Sequence, residues 1–152
     1  MSSKYSLSEV KDDAEWPALI ECFRDGFTDP GTTLWPLFTY DDVTFSPAQR
    51  KASLEETTQR MRSWHTPDPT SHWLKVVEDS TGEVVGGGRW ALYESGNPYE
   101  GHGRVPATWW PEGDQRECAT EALNDFLSSA SRLMPKPHAC KSFFITHASP
   151  SR

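Results

Sequence analysis

The chain has 152 residues and a formal net charge of -7, with 22 acidic against 15 basic side chains. That length suits one domain with a sizeable core, and the acidic balance argues against a nucleic-acid backbone as partner, because holding phosphates needs concentrated Lys and Arg. A small molecule or another protein is the expected partner.

The opening residues, Met1-Ser2-Ser3-Lys4-Tyr5, carry no apolar signal core, and no run approaches the ~20 apolar residues of a membrane span. The expectation is a soluble, cytoplasmic chain with no membrane partner. Cys22, Cys118 and Cys140 are an odd set without CxxC spacing, which suits reduced core thiols better than a disulfide framework. The seven tryptophans must line a core, a pocket or an interface, since each large ring buries ~150 to 250 Å².

Taken in order, Tyr5 to Val10 alternates apolar and polar residues, the pattern of a half-buried strand. Asp12 or Asp13 caps a helix that tolerates Pro17 only in its first turn, with Leu19, Ile20, Phe23 and Phe27 at helical spacing and Gly26 placed to end it. From Asp29 to Phe45 the text is irregular yet strongly apolar, so it folds over a groove or packs as short helical turns. Ser46-Pro47 opens a second helix, a polar surface helix running to about Ser63, with Glu56 and Arg60 one turn apart.

The segment from Ser71 to Trp90 reads as an antiparallel hairpin. Its arms start at His72 and Glu83, and Gly82 in the turn can take a positive φ. Gly86-Gly87-Gly88 interrupts the second arm, so either a bulge forms there or something large lies against bare backbone. A Pro- and Gly-rich insertion, Glu94 to Gly113, carries Trp109-Trp110. Asp114 caps a third helix with Glu117 in the capping-box position, and Cys118, Ala119, Ala122, Leu123, Phe126, Leu127, Ala130 and Leu133 form a stripe that docks on the sheet. His138 to Thr146 reads as a final strand. The whole is a single α+β domain over residues 1–152, a partial, mixed and mostly antiparallel sheet with helices packed on it.

The glycine triplet lacks the Lys-Ser or Lys-Thr of a phosphate loop and leads into a strand, so it reads as a bulge or a tight packing point. The five histidines, His65, His72, His102, His138 and His147, share no ligand spacing, and no metal site is expected. His72 and His147 sit at strand ends beside aromatics and are the candidate acid-base residues, with Glu112 a third. Trp90, Tyr93, Trp109 and Trp110 are the candidate lining of an aromatic pocket, with Arg89 and Glu112 as its nearest polar groups. The alternative is that these rings fill the core where the insertion covers the sheet.

Three stretches, Asp68 to Val77, Gly82 to Trp90 and Trp109-Trp110-Pro111-Glu112-Gly113, resemble fungal members of the GCN5-related N-acetyltransferase superfamily, as do Lys136-Pro137-His138 and Phe144 to His147. The resemblance covers the N-terminal half of that family. It implies an acyl-CoA-dependent N-acetyltransferase fold in which the backbone of Phe144, Ile145 and Thr146 pairs with the pantetheine arm of acetyl-CoA. It also implies an acceptor pocket formed by the hairpin and the insertion. Where the family places a glycine loop at a helix N-terminus for the coenzyme pyrophosphate, this chain reads Ala148-Ser149-Pro150-Ser151-Arg152. The expectation drawn is a domain truncated after the fourth strand, a degenerate or repurposed relative that acts on or binds a small hydrophobic metabolite. Two alternatives stand beside it: an N-acetyltransferase completed by a partner chain, and a dimeric interaction module without catalysis. A final strand lacking a neighbour exposes unpaired backbone groups, which predicts a homodimer through that sheet edge.

Overall fold

The computed structural model describes residues 4–27, 35–42, 44–94, 103–134 and 137–146. Four strands, β1 (Tyr5–Glu9), β2 (Ser71–Glu78), β3 (Val84–Tyr93) and β4 (His138–Thr146), form one open antiparallel sheet in the order β1-β2-β3-β4. Three helices, α1 (Trp16–Phe27), α2 (Pro47–His65) and α3 (Asp114–Leu133), complete an α+β domain in which helices pack on a partial sheet. Among the described residues no helix is long and apolar enough to cross a membrane.

The hairpin forms because its turn can close. Gly82 takes φ +73°, a left-handed value that a Cβ would oppose. Both readings of the glycine triplet hold. The register shifts between Val76 and Val77, leaving Val85 as an extra residue on β3, and again between Gly88 and Arg89, where Phe143 is the extra residue on β4. Between these bulges α1 lies against bare backbone. A Cβ built on Gly87 would sit 2.4 Å from Leu19 Cδ1, 2.9 Å from the Leu74 carbonyl oxygen and 3.2 Å from Phe23 Cε2.

That contact defines an inner face. Residues directly opposite across a ladder share a face, so Ser71, Trp73 and Lys75 on β2 point inward with Ala91, Arg89 and Gly87 on β3. Trp16, Leu19, Ile20 and Phe23 from α1 close over them, with Trp73 edge-on to Trp16 at 5.2 Å and to Phe23 at 5.7 Å. Glu15 anchors the start of this helix by accepting from the backbone N–H groups of Lys11 at 2.8 Å and Asp12 at 3.0 Å, and by pairing with Lys75. The Lys75 ammonium and these two amides hold the Glu15 carboxyl down to about 2.

Four expectations are corrected. β1 is exposed along its whole length rather than half-buried, because it is an edge strand that α1 does not reach. The polar α2 is not simply a surface helix: Thr57 and Met61 are buried, with the Thr57 hydroxyl 2.6 Å from that of Thr39. α3 starts from Gly113 at φ +125° with no side-chain cap. It packs chiefly against a 3-10 turn at Trp35–Leu37 and against the 103–110 segment, not on the sheet. Only Ala119, Leu123 and Ala130 of its apolar stripe are buried, while Phe126 and Leu133 are exposed.

The Gly87 contact generates a test. Gly87→Ala puts a methyl against a backbone carbonyl that has nowhere to move, so we expect a loss of roughly 1–3 kcal/mol in urea-unfolding stability. Gly82→Ala, with open space around the added methyl but an unfavourable φ, should cost about 1 kcal/mol.

Candidate functional site

The sheet has a second face, and among the described residues no helix packs on it. By register it carries Tyr5, Leu7 and Glu9 on β1, His72, Leu74 and Val76 on β2, and Trp90 and Leu92 on β3. Large apolar side chains stand in solvent there: Leu7 is 67 % exposed, Leu92 49 %, Tyr5 44 % and Trp90 40 %. A patch of this kind usually marks a binding surface.

His72 sits inside that patch, directly opposite Trp90 across the β2–β3 ladder. Its Nδ1 lies 2.9 Å from Oε1 of Glu9, a residue of β1 that is 63 positions away in sequence. The hydrogen bond from His72 holds the Glu9 carboxyl below its ordinary range. Both side chains remain 42 % exposed.

The polar cluster continues behind the strand. Arg89 donates from Nε to the Ser71 hydroxyl at 2.8 Å and from Nη2 to Asp68 at 2.9 Å. Burial alone would raise the Asp68 carboxyl; the hydroxyl and backbone N–H of Thr70, together with Arg89, outweigh it and bring it below the usual range. His65, at the end of α2, packs on Trp16 at 5.4 Å, and burial, aided by the Arg89 charge, lowers its pKa. Arg89 therefore lies on the inner face, committed to Asp68 and Ser71, and does not share a face with Trp90.

The four rings expected to line one pocket are not brought together. Trp90 and Tyr93 point to opposite faces of β3, and Tyr93 packs on His138 at 5.2 Å. Trp109 lies under the Arg60 guanidinium at 4.1 Å and edge-on to Trp64 at 5.7 Å. Trp110 packs at a tilt on Tyr40 at 4.8 Å and donates from Nε1 to the Pro36 carbonyl at 3.0 Å. The insertion tryptophans join α2, the Trp35–Leu37 turn and the approach to α3.

Glu112 is exposed at the start of α3, with a 3.5 Å approach to Arg116, whose Nε donates to the Trp110 carbonyl at 2.6 Å. His147 lies outside the described residues. Phe144, Ile145 and Thr146 pair their backbones with Gly88, Gly87 and Gly86 of β3. Beside the start of β4, Leu133, Met134, Pro137, His138, Ala139, Cys140 and Lys141 line an open groove of about 470 Å³ that includes none of the expected pocket residues.

No disulfide links the three cysteines, and only Cys22 is buried; burial raises its thiol to about 11. Among the described residues no three His, Cys, Asp or Glu side chains are placed to hold a metal ion. Glu9 is the site residue that sequence reasoning missed. Its signal is parity: on an alternating β1, Glu9 falls on the same side as Tyr5 and Leu7, but only the β1–β2 register reveals that His72 lies within reach. No protein-family model matches the chain, and no curated protein matches it either.

Arg60 offers a check on the packing around Trp109. Its side chain is only 10 % exposed and donates to Glu56 at 2.7 Å and to the Phe38 carbonyl at 2.7 Å. Arg60→Ala removes the ring stacking and leaves that carbonyl unsatisfied, so we expect a loss of about 2–4 kcal/mol in denaturant titration. Arg60→Lys should recover little of it, because an ammonium lacks the planar fork.

Proposed function

We propose that the chain is a GCN5-related N-acetyltransferase-like domain that binds a small hydrophobic metabolite on the open face of its sheet and takes an acetyl group from acetyl-CoA. The observation that carries this reading is the exposed Trp90 and Leu92 standing beside His72 on a face that no described helix covers. An apolar floor with the His72–Glu9 pair beside Trp90, and with Lys141 opposite that ring, suits a ligand that is mostly hydrocarbon and carries a reactive polar group.

The donor side has its own support. β4 is the edge strand beyond β3, its backbone bonded on one side only among the described residues, and the bulge at Phe143 bends it. An extended pantetheine arm carries amide groups that can pair with such an edge as an added strand would. Phe144, Ile145 and Thr146 are the residues whose backbones would hold it.

Titration with acetyl-CoA tests the donor assignment. A dissociation constant near 100 μM stabilises a fold by about 1.4 kcal/mol at about 1 mM ligand, which should raise the melting temperature by roughly 3 to 6 °C. No shift, together with capture of an aryl-alkyl amine that Trp90→Ala abolishes, would mark a repurposed binding protein instead. A second reading, a homodimeric interaction module, is favoured by the edges of β1 and β4, which no other strand covers among the described residues. In that case sedimentation at micromolar concentration gives twice the chain mass of 17.2 kDa; a monomer under those conditions rules it out.

A further inference from the structure

We propose that Glu9 and His72 form a proton-relay dyad, with His72 the catalytic base of the open face and Glu9 the residue that positions it. The inference rests on the acyl-transfer reading above and adds to it the group that moves the proton. Three observations support it. The pair joins two different strands at 2.9 Å, so the folded sheet and not local sequence creates it. The carboxylate is an acceptor only, so Nδ1 carries the hydrogen, and in the neutral imidazole the lone pair then falls on Nε2. That nitrogen, on the ring edge away from Glu9, has no partner among the described residues and belongs to a side chain that is 42 % exposed beside Trp90.

An ordinary staple between β1 and β2 would need none of this. An ion pair so exposed contributes about 0–1 kcal/mol, and β1 already holds five register pairs with β2. Besides His72, Lys11 and His65 act electrostatically on Glu9, and Lys141 stands opposite Trp90 on the same face. On the open face Glu78 is paired with Lys4 at 3.2 Å, while Lys75 faces inward on Glu15. In the step assigned here, an amine held against Trp90 attacks the acyl carbon of a thioester. As the C–N bond forms, the amine proton passes to His72 Nε2; as the C–S bond breaks, the imidazolium returns that proton to the departing thiolate. Glu9 stabilises the imidazolium in between, acting through His72 and touching no reacting atom.

The tautomer can be read without any coenzyme. Long-range proton–nitrogen NMR of the uniformly labelled full chain should show His72 in the Nδ1–H form. Glu9→Ala should move it to the Nε2–H form usual for free imidazole, and Glu9→Gln, which keeps an acceptor oxygen, should retain part of the original signal. Acyl transfer from p-nitrophenyl acetate to phenethylamine supplies the rate. We expect His72→Ala to lower it about 100-fold and Glu9→Ala about tenfold, with circular dichroism unchanged.

An Nε2–H tautomer in the unsubstituted protein overturns the dyad. So does an unchanged rate in His72→Ala, which would leave the pair as a staple. Failure of acetyl-CoA to bind while these results hold would overturn the coenzyme assignment alone.

Discussion

The architecture depends on one close approach, that of α1 to the backbone of Gly87. A helix can lie this near a strand only where the strand presents no side chain. Gly87 supplies that gap in line with Trp73 and Lys75, and Leu19 and Phe23 enter it. Once α1 is seated, Trp16, Ile20 and Phe23 close over Trp73, and the inner face of the sheet is sealed. The opposite face receives no helix among the described residues. Among these residues the sheet is packed on one side, and its buried and solvent-facing side chains divide accordingly.

The sealed side shows what burial demands of polar groups. Lys75 with Glu15, and Arg89 with Asp68 and Ser71, each keep a charge under α1 or at its margin, and each is closely bonded. An unpaired charge there would cost several kcal/mol. On the open side the same chemistry is under no such obligation. Glu9 and His72 are solvated, so their contact adds little to stability and leaves one imidazole nitrogen available. Charge pairs on the two faces are alike in kind and differ in consequence.

Much of this was legible in the residues. The final strand spans His138–Thr146 as read, the hairpin turn has its positive φ at Gly82, and Ser46 caps α2 by accepting from the Gln49 N–H at 3.3 Å. These are local effects, decided by residues within a turn of one another. What failed was non-local. β1 has the alternation of a half-buried strand, yet its sheet position leaves both faces wet. The stripe on α3 is wide enough for a sheet, but the helix meets a 3-10 turn and a loop, and Phe126 touches Phe38 edge-on at 6.2 Å while still 44 % exposed. Trp90 and Trp109 are both large rings near the hairpin or insertion, and composition holds no information about which face each one takes.

The position of α3 has the same kind of cause. α3 has the length to cover a four-stranded sheet, and in many α+β folds a helix so placed would do so. Here the 103–110 segment intercepts it. The Ala107 N–H donates to the buried Thr120 hydroxyl at 3.0 Å, and Asn124 both accepts from the Val105 N–H at 2.9 Å and donates to the Val105 carbonyl at 2.8 Å. These bonds fix α3 to the loop, and Arg60 between Trp64 and Trp109 fixes the loop to α2. The insertion therefore acts on the site from a distance: by holding α3 beside the helical layer, it leaves Trp90, Leu92 and His72 facing solvent.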